Sequence, residues 1–159
     1  MTYSDIVDSP VGPLYLTSDG EKLTGLWMRE PEGEAVLADL PVLWEARKWL
    51  DAYFRGEAPA VEALPLAPKG TEFQMLVWEL LLDIPFGQTR TYGDLAKEAA
   101  ARLGKTRRSA QAVGGAVGRN PISIIIPCHR VVGGGHVLTG YAGGLEKKLW
   151  LLRHEGWTY

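Results

Sequence analysis

Between Ala58 and Gly70 the chain carries three prolines. Proline fixes φ and removes an amide donor, so neither a helix interior nor a central strand can run through this stretch. It reads as a linker. The residues before it show strand-like alternation followed by one helical pattern, whereas those after it show mostly helical spacing. A chain of 159 residues has room for one domain or two small ones. The expected fold class is α+β, with a small N-terminal sheet-and-helix module over 1–65 and a mostly helical C-terminal domain over 71–159.

In the first part, Asp8 to Pro13 reads as a turn, Leu14 to Thr17 as extended, Ser18 to Gly20 as a turn and Leu23 to Met28 as extended. Leu43, Trp44, Ala46, Trp49, Leu50, Tyr53 and Phe54 recur at helical spacing over Pro41–Phe54, with Gly56 as the stop. After the prolines, Thr71-Glu-Phe-Gln74 is a capping box. It opens a helix that runs to Leu82, is ended by Ile84-Pro-Phe-Gly87, and carries Phe73, Leu76, Val77, Leu80 and Leu81 on one face. Thr91 caps a second helix from about Tyr92 to Leu103, closed by Gly104, and Thr106 caps a third that reaches about Gly118. Two helices joined by a tight glycine turn suggest a helix-turn-helix of winged-helix type. The third helix holds Gly114, Gly115 and Gly118, each costing about 1 kcal/mol relative to alanine. Either a neighbouring helix packs very close, or the backbone approaches a ligand in a narrow space such as a DNA minor groove, about 6 Å wide.

Charge is divided unevenly. Residues 1–89 hold 6 Lys/Arg against 15 Asp/Glu, a net of −9, while residues 90–159 hold 11 against 4, a net of +7. Eight basic residues lie between Arg90 and Arg130. Such a block suits a polyanion, although a charge cluster is more often a solvated face. One cysteine excludes an internal disulfide and a multi-thiolate zinc site, and three scattered histidines lack metal-ligand spacing. No metal and no cofactor are expected. The N-terminus has no signal-peptide pattern and no apolar run is long enough for a membrane span, so a cytoplasmic protein is expected.

The single cysteine sits in Ser123-Ile-Ile-Ile-Pro-Cys-His-Arg-Val-Val-Gly-Gly-Gly135. Ser123 to Ile126 reads as a buried strand, Pro127 as its end and Gly133 to Gly135 as a turn, which puts Cys128 at the mouth of a strand. Alone it would more often be a small buried apolar side chain. His129 is adjacent, and in an extended chain it would face away from Cys128, so a bridging water is needed to pass a proton. Glu155 is the best available carboxylate to orient the imidazole. Beside His129, Arg130 and the basic block, the thiol pKa is expected to fall.

Ile126-Pro-Cys-His-Arg-Val131 closely resembles the active-site motif of the O6-alkylguanine-DNA alkyltransferases, also called methylated-DNA–protein-cysteine methyltransferases. Phe73…Val77-Trp78, Ile84-Pro-Phe-Gly87, Thr91-Tyr-Gly-Asp-Leu-Ala96, Ala112-Val-Gly-Gly-Ala116, Asn120-Pro121, Gly140-Tyr-Ala-Gly-Gly-Leu145 and Trp150-Leu-Leu-Arg-His-Glu-Gly156 follow in that family's order. The resemblance covers 71–157 strongly and the N-terminal module loosely, where it implies a ribonuclease-H-like unit.

The resemblance implies repair of O6-alkylguanine in double-stranded DNA by one irreversible transfer of the alkyl group to Cys128, without cofactor. Activity on O4-alkylthymine stays open. By position, Cys128 is the acceptor, His129 its base through a water, and Glu155 the holder of the imidazole. Asn120 is the hinge between recognition helix and cysteine loop (or simply a helix cap). Tyr92 meets the target phosphate and N3 of the flipped guanine, unless it is an ordinary amphipathic aromatic. The Val131 carbonyl and the Ala142 amide would meet the base, Tyr141 would wall the alkyl pocket, and Lys148 lies near the site or on the surface. In the minor groove the DNA-facing set would be Arg107, Arg108, Ala110, Gln111, Gly114, Gly115, Arg119 and Arg130. The protein would act as a monomer, with cooperativity on DNA open.

Three departures stand out. Gln111 occupies the position of an arginine that usually fills the gap left by the flipped base, Ala142 stands where serine is common, and Tyr92–Gln111 is about five residues longer than usual. Two rival readings are a Cys-His hydrolase, for which adjacent Cys and His are poorly placed, and a non-catalytic lesion-recognition protein, whose relatives lack the cysteine.

Overall fold

The computed structural model describes residues 1–105, 109–141 and 143–158. They form two compact units, one of residues 1–69 with 121–123, the other of residues 70–120 with 124–159.

In the first unit β1 (Tyr3–Val7), β2 (Leu14–Ser18) and β3 (Leu23–Trp27) make an antiparallel meander, and β4 (Val36–Leu37) pairs parallel with β1, giving the order β3-β2-β1-β4. Leu14 and Leu16, two apart and so on one face of β2, are fully buried. Helix α1 (Pro41–Phe54) packs on this sheet and buries Leu43, Ala46, Trp49, Leu50 and Tyr53. Its proline stands at the first position, where a missing amide hydrogen costs nothing, and Gly56 ends it at φ +90°.

The Ala58–Gly70 stretch is more than a linker. Leu23 N–H donates to Pro65 O at 2.8 Å and Ala67 N–H donates to Leu23 O at 2.8 Å, so Leu66 adds one rung beside β3. Proline bars a central strand, but between Pro65 and Pro68 the carbonyl of one and the amide of Ala67 remain free to pair at an edge.

The expected strand over Ser123–Ile126 is absent. Ile122 makes a single bridge to Leu26, residues 123–125 turn, and Ile124 takes φ 69°. Ile124, Ile125 and Ile126 are nonetheless buried. The apolar run was read correctly as interior; a short run without alternation does not distinguish a strand from a packed turn.

The second unit opens with α2 (Glu72–Leu82), whose capping box is complete: Gln74 N–H donates to Thr71 Oγ1 at 3.1 Å and Thr71 N–H to Gln74 Oε1 at 2.9 Å. A two-residue strand β5 (Arg90–Thr91) leads into α3 (Tyr92–Arg102), boxed in the same way by Thr91 and Asp94. Helix α4 (Ala110–Gly118) is capped by Ser109, which accepts from Ala112 N–H at 2.8 Å. It therefore starts later than a Thr106 cap would place it; Thr106 itself lies outside the described residues. Strand β6 (Val131–Val132) pairs parallel with β5, and α5 (Leu145–His154) closes the unit. Trp78, 2% exposed, donates from Nε1 to Ala116 O at 2.9 Å, which fastens α2 to α4. No helix among the described residues is long and apolar enough to cross a membrane.

Candidate active site

Pro127, at φ −81° and ψ 66°, is the centre of an inverse γ-turn closed by Cys128 N–H to Ile126 O at 2.8 Å. Proline fits because its ring sets φ near that value. The same carbonyl accepts from Asn120 Nδ2 at 2.8 Å, so the end of α4 is tied to the turn before the cysteine. Cys128 then starts a 3₁₀ turn, Cys128–Arg130, rather than ending a strand. With three residues per turn, Cys128 and His129 diverge by about 120° and not by the half-turn of an extended chain. His129 is therefore less badly aimed than the sequence suggested.

Burial dominates the thiol. Cys128 is buried, and desolvation pushes its pKa up. Hydrogen bonds from Asn120 and Tyr141 and the charge of Lys148 pull the other way without prevailing. The expectation of a lowered pKa is thus overturned: of its supposed electropositive neighbours, Arg130 is occupied elsewhere and His129 is neutral. At rest the sulfur is a protonated thiol.

Glu155, at the C-terminal end of α5, is the hub of a buried polar cluster. Its Oε2 lies 2.6 Å from His129 Nε2 and accepts from Arg130 Nη2 at 3.1 Å; its Oε1 accepts from Arg130 Nε at 2.8 Å and from Gly87 N–H at 3.0 Å. Burial raises the Glu155 pKa, but the bonds and charges of His129 and Arg130 outweigh it and hold the carboxyl well below the usual range. A carboxylate can only accept, so the ring proton sits on Nε2. His129 Nδ1 is left as the basic nitrogen, buried and with no hydrogen-bond partner among the described residues. Desolvation lowers the imidazole pKa more than Glu155 raises it, so the ring is neutral near pH 7.

Arg130 was expected on the DNA face. Instead it is buried, paired to both Glu155 oxygens, donates from Nη1 to Ile84 O at 2.7 Å, and lies 5.8 Å over the Phe86 ring. The Ile84-Pro-Phe-Gly87 turn thus serves the cluster twice, through the Ile84 carbonyl and the Gly87 amide. Sequence reasoning read that turn as a helix stop and as one of the family's ordered motifs, with no role in the site.

Lys148 is buried, not on the surface. Its Nζ donates to Val131 O at 2.5 Å, Gly140 O at 3.4 Å and Thr139 Oγ1 at 3.5 Å, and Thr139 donates to Tyr92 Oη at 3.4 Å. Desolvation lowers the Lys148 pKa to about 8, while the Cys128 charge opposes the shift. Val131 is fully buried in β6, in register with Arg90 of β5, which brings it to the start of α3 where Tyr92 stands half-buried. Thr139 was not singled out from the sequence, since no motif contains it.

On α4, Ala110, Gln111 and Gly115 are exposed and Gly114 is half-buried; Arg119, at its C-cap, is exposed. Among the described residues a Cβ at Gly115 or Gly118 would meet nothing within 4 Å, and one at Gly114 would only touch the Tyr92 ring at 3.7 Å. Close packing within the unit therefore does not require these glycines. The basic block is partly neutralised: Arg90 pairs with Asp94 and Glu98, and Arg102 with Glu79, Asp83 and Glu98. Arg107, Arg108 and Ala142 lie outside the described residues. No group of three or more His, Cys, Asp or Glu among the described residues could hold a metal ion.

Two family models match the chain: the 6-O-methylguanine DNA methyltransferase ribonuclease-like domain over residues 2–68 and the DNA binding domain of the same family over 72–157. The methylated-DNA–protein-cysteine methyltransferase of Methanosarcina acetivorans is 44% identical, covering 97% of this chain and 98% of the relative. That of Mycobacterium leprae is 46% identical, covering 98% and 93%. A crystal structure of Mycobacterium tuberculosis OGT in complex with DNA superposes with a TM-score of 0.83 at 44% identity, covering 96% of this chain and 92% of that one. With a family model spanning more than half its length and relatives this similar end to end, the chain belongs to the 6-O-methylguanine DNA methyltransferase family.

Proposed function

We propose that this protein repairs O6-alkylguanine in duplex DNA by moving the alkyl group, once per molecule, onto the sulfur of Cys128. The observation that carries the reading is the buried chain His129–Glu155–Arg130 beside the sole cysteine, with His129 Nδ1 left as a basic nitrogen. A hydrolase would need to regenerate its thiol; a thioether does not hydrolyse.

The damaged base must leave the stack before its alkyl carbon can be reached. Lodged in the pocket, it meets the Cys128 thiol, whose proton passes through a water to His129 Nδ1. The sulfur attacks the alkyl carbon, a C–S bond forms, the C–O bond breaks, and guanine leaves with the electron pair. Tyr92 supplies a hydrogen bond at N3 that offsets the charge developing on the leaving base. Val131 O spends one acceptor site on Lys148 and keeps another for the guanine amine. Tyr141 walls the alkyl pocket, the Ala142 amide is the group assigned to guanine O6, and Asn120 keeps the cysteine turn in register with α4.

Recognition runs through α4, whose Ala110, Gln111, Gly114 and Gly115 lie, with Arg119 at its C-cap, along the minor groove of a flipped-base duplex. What supports this is the open space around Gly115 and Gly118: among the described residues, nothing packed against them requires glycine, despite its helix-propensity cost. Arg107 and Arg108 add phosphate contacts. The protein works as a monomer in the cytoplasm, where its thiol stays reduced. The N-terminal unit and the C-terminal unit divide the work, the chemistry belonging wholly to the latter.

Intact-mass measurement after mixing with O6-methylguanine duplex tests the reading. One added methylene on Cys128, one equivalent transferred and a free-thiol count falling from one to zero are expected. Repeated turnover, or a mass gain retained in Cys128→Ala, would refute it.

A further inference from the structure

Tyr92 can help the departing base only if its phenolic proton points at that base, and this depends on what its oxygen accepts. Thr139 Oγ1 lies 3.4 Å from Tyr92 Oη and 3.5 Å from Lys148 Nζ. An ammonium group has donors and no acceptor, so at the Lys148 end Thr139 must accept. A hydroxyl carries one proton and two lone pairs; with Lys148 on one lone pair, Thr139 keeps that proton to donate to Tyr92 Oη, the direction in which the two hydroxyls are bonded. Lys148, which cannot accept, favours this direction along the chain.

The Thr139 methyl is held as well as the hydroxyl. A Cβ built on Gly133 would fall 2.8 Å from Thr139 Cγ2 and 3.3 Å from Val137 O, so the glycine makes room for the methyl. Gly133 N–H donates to Val137 O at 2.8 Å and closes the bend that precedes Thr139. Lys148 meanwhile bonds Val131 O and Gly140 O, one on each side of that bend. The Thr139 links are long for hydroxyl hydrogen bonds, as such contacts often are before substrate is bound.

We propose that Thr139 is a positioning residue for Tyr92: held by Lys148 and Gly133, it occupies the phenolic oxygen as acceptor and so directs the Tyr92 proton to the leaving guanine. The inference rests on the assignment of Tyr92 as the residue that meets the base, and the experiment separates the two.

The single-turnover rate of transfer from O6-methylguanine duplex, with protein in excess, is measured for Thr139→Val, Thr139→Ser, Tyr92→Phe and Tyr92→Phe/Thr139→Val, each with its duplex affinity. Thr139→Val, nearly isosteric, slows transfer by about 3- to 10-fold, the worth of one hydrogen bond. Duplex affinity is unchanged. Thr139→Ser restores the rate to within about twofold, since the hydroxyl is what matters. In the Tyr92→Phe background Thr139→Val has no further effect. The inference is overturned if Thr139→Val matches the parent, if Ser and Val are equally slow, or if the two substitutions multiply. If Tyr92→Phe alone leaves the rate unchanged, the assignment of Tyr92 itself fails. Should Thr139→Val not fold, Thr139→Ala against Thr139→Ser makes the same comparison.

Discussion

His129 Nε2 lies 2.6 Å from Glu155 Oε2, and the same carboxylate takes Nε and Nη2 of Arg130, so one buried anion orients a neutral ring and neutralises a cation together. Glu155→Gln breaks both functions. The amide can donate to Nε2, which moves the ring proton to Nδ1 and removes the lone pair the thiol needs. Single-turnover transfer should fall by about 10²-fold or more, the usual worth of a positioned base. Arg130 is left without its counter-charge, which costs roughly 3 kcal/mol in urea unfolding. A variant that folds normally and transfers at the parent rate would remove Glu155 from the chemistry.

Arg119 and Arg130 belong to the same basic block but do different work. Arg119 is exposed, so Arg119→Ala should weaken duplex binding and reduce the slope of log K against log salt by about 1. Arg130→Met should leave that slope unaltered, slow transfer and lower stability, because it removes the counter-charge of the buried Glu155. Equal salt slopes for the two variants would contradict this division.

Burial raises the Cys128 pKa and lowers that of His129, so the resting pair near neutral pH is thiol and imidazole. Iodoacetamide labelling of free protein should be slow at pH 7 and rise only above the range of an ordinary cysteine, about 8.5. Transfer from duplex should already be fast at pH 7, since the base acts within the complex. Labelling that saturates below pH 7 would show the thiolate to be the resting form.

Stability should fall on acidification, and the sign is the same for both partners of the cluster. His129 has a lowered folded pKa, so below about 6.5 the unfolded chain binds more protons. Glu155 also has a lowered folded pKa; its contribution is complete above about 4.3 and is lost as pH falls through the folded value. Urea midpoints measured from pH 7 to about pH 3 should decline, and Glu155→Gln should flatten the part of that curve below about pH 4.3. A constant midpoint in the parent protein would mean the cluster is not coupled to folding.

On α4 two substitutions should act in opposite senses. Gly115→Ala meets no steric obstacle in the free protein and raises stability by up to about 1 kcal/mol, yet weakens duplex binding where the added methyl meets the groove. Gln111→Arg supplies a planar, charged side chain to the space left by the flipped base, speeding reaction with duplex and leaving the rate with free O6-alkylguanine unchanged. Thermal unfolding with a binding titration checks the first, and paired rates on the two substrates check the second. Gly115→Ala with full affinity would take α4 off the DNA.

Local signals in the chain were enough for most of the framework. The Thr71–Gln74 and Thr91–Asp94 boxes, the Pro41 start and the Gly56 stop are each set by side chains within four residues of the backbone groups they serve, and these elements fall where the sequence placed them. The family itself was legible, because its motifs are contiguous and keep their order. What depended on distant partners was not. Ser123–Ile126 has a strand's composition, but its pairing with Leu26 stops at the Ile122 bridge and Ile124 turns instead. Arg130 looked like a surface cation until Glu155 and Ile84, 25 and 46 residues away, proved to hold it. The thiol pKa went the opposite way from the sequence expectation because charge is written in the residues, whereas desolvation is not; it arises only when the fold closes over the sulfur. Sequence determined which groups are present and where helices begin, while tertiary packing decided which of those groups meet and how much water they lose.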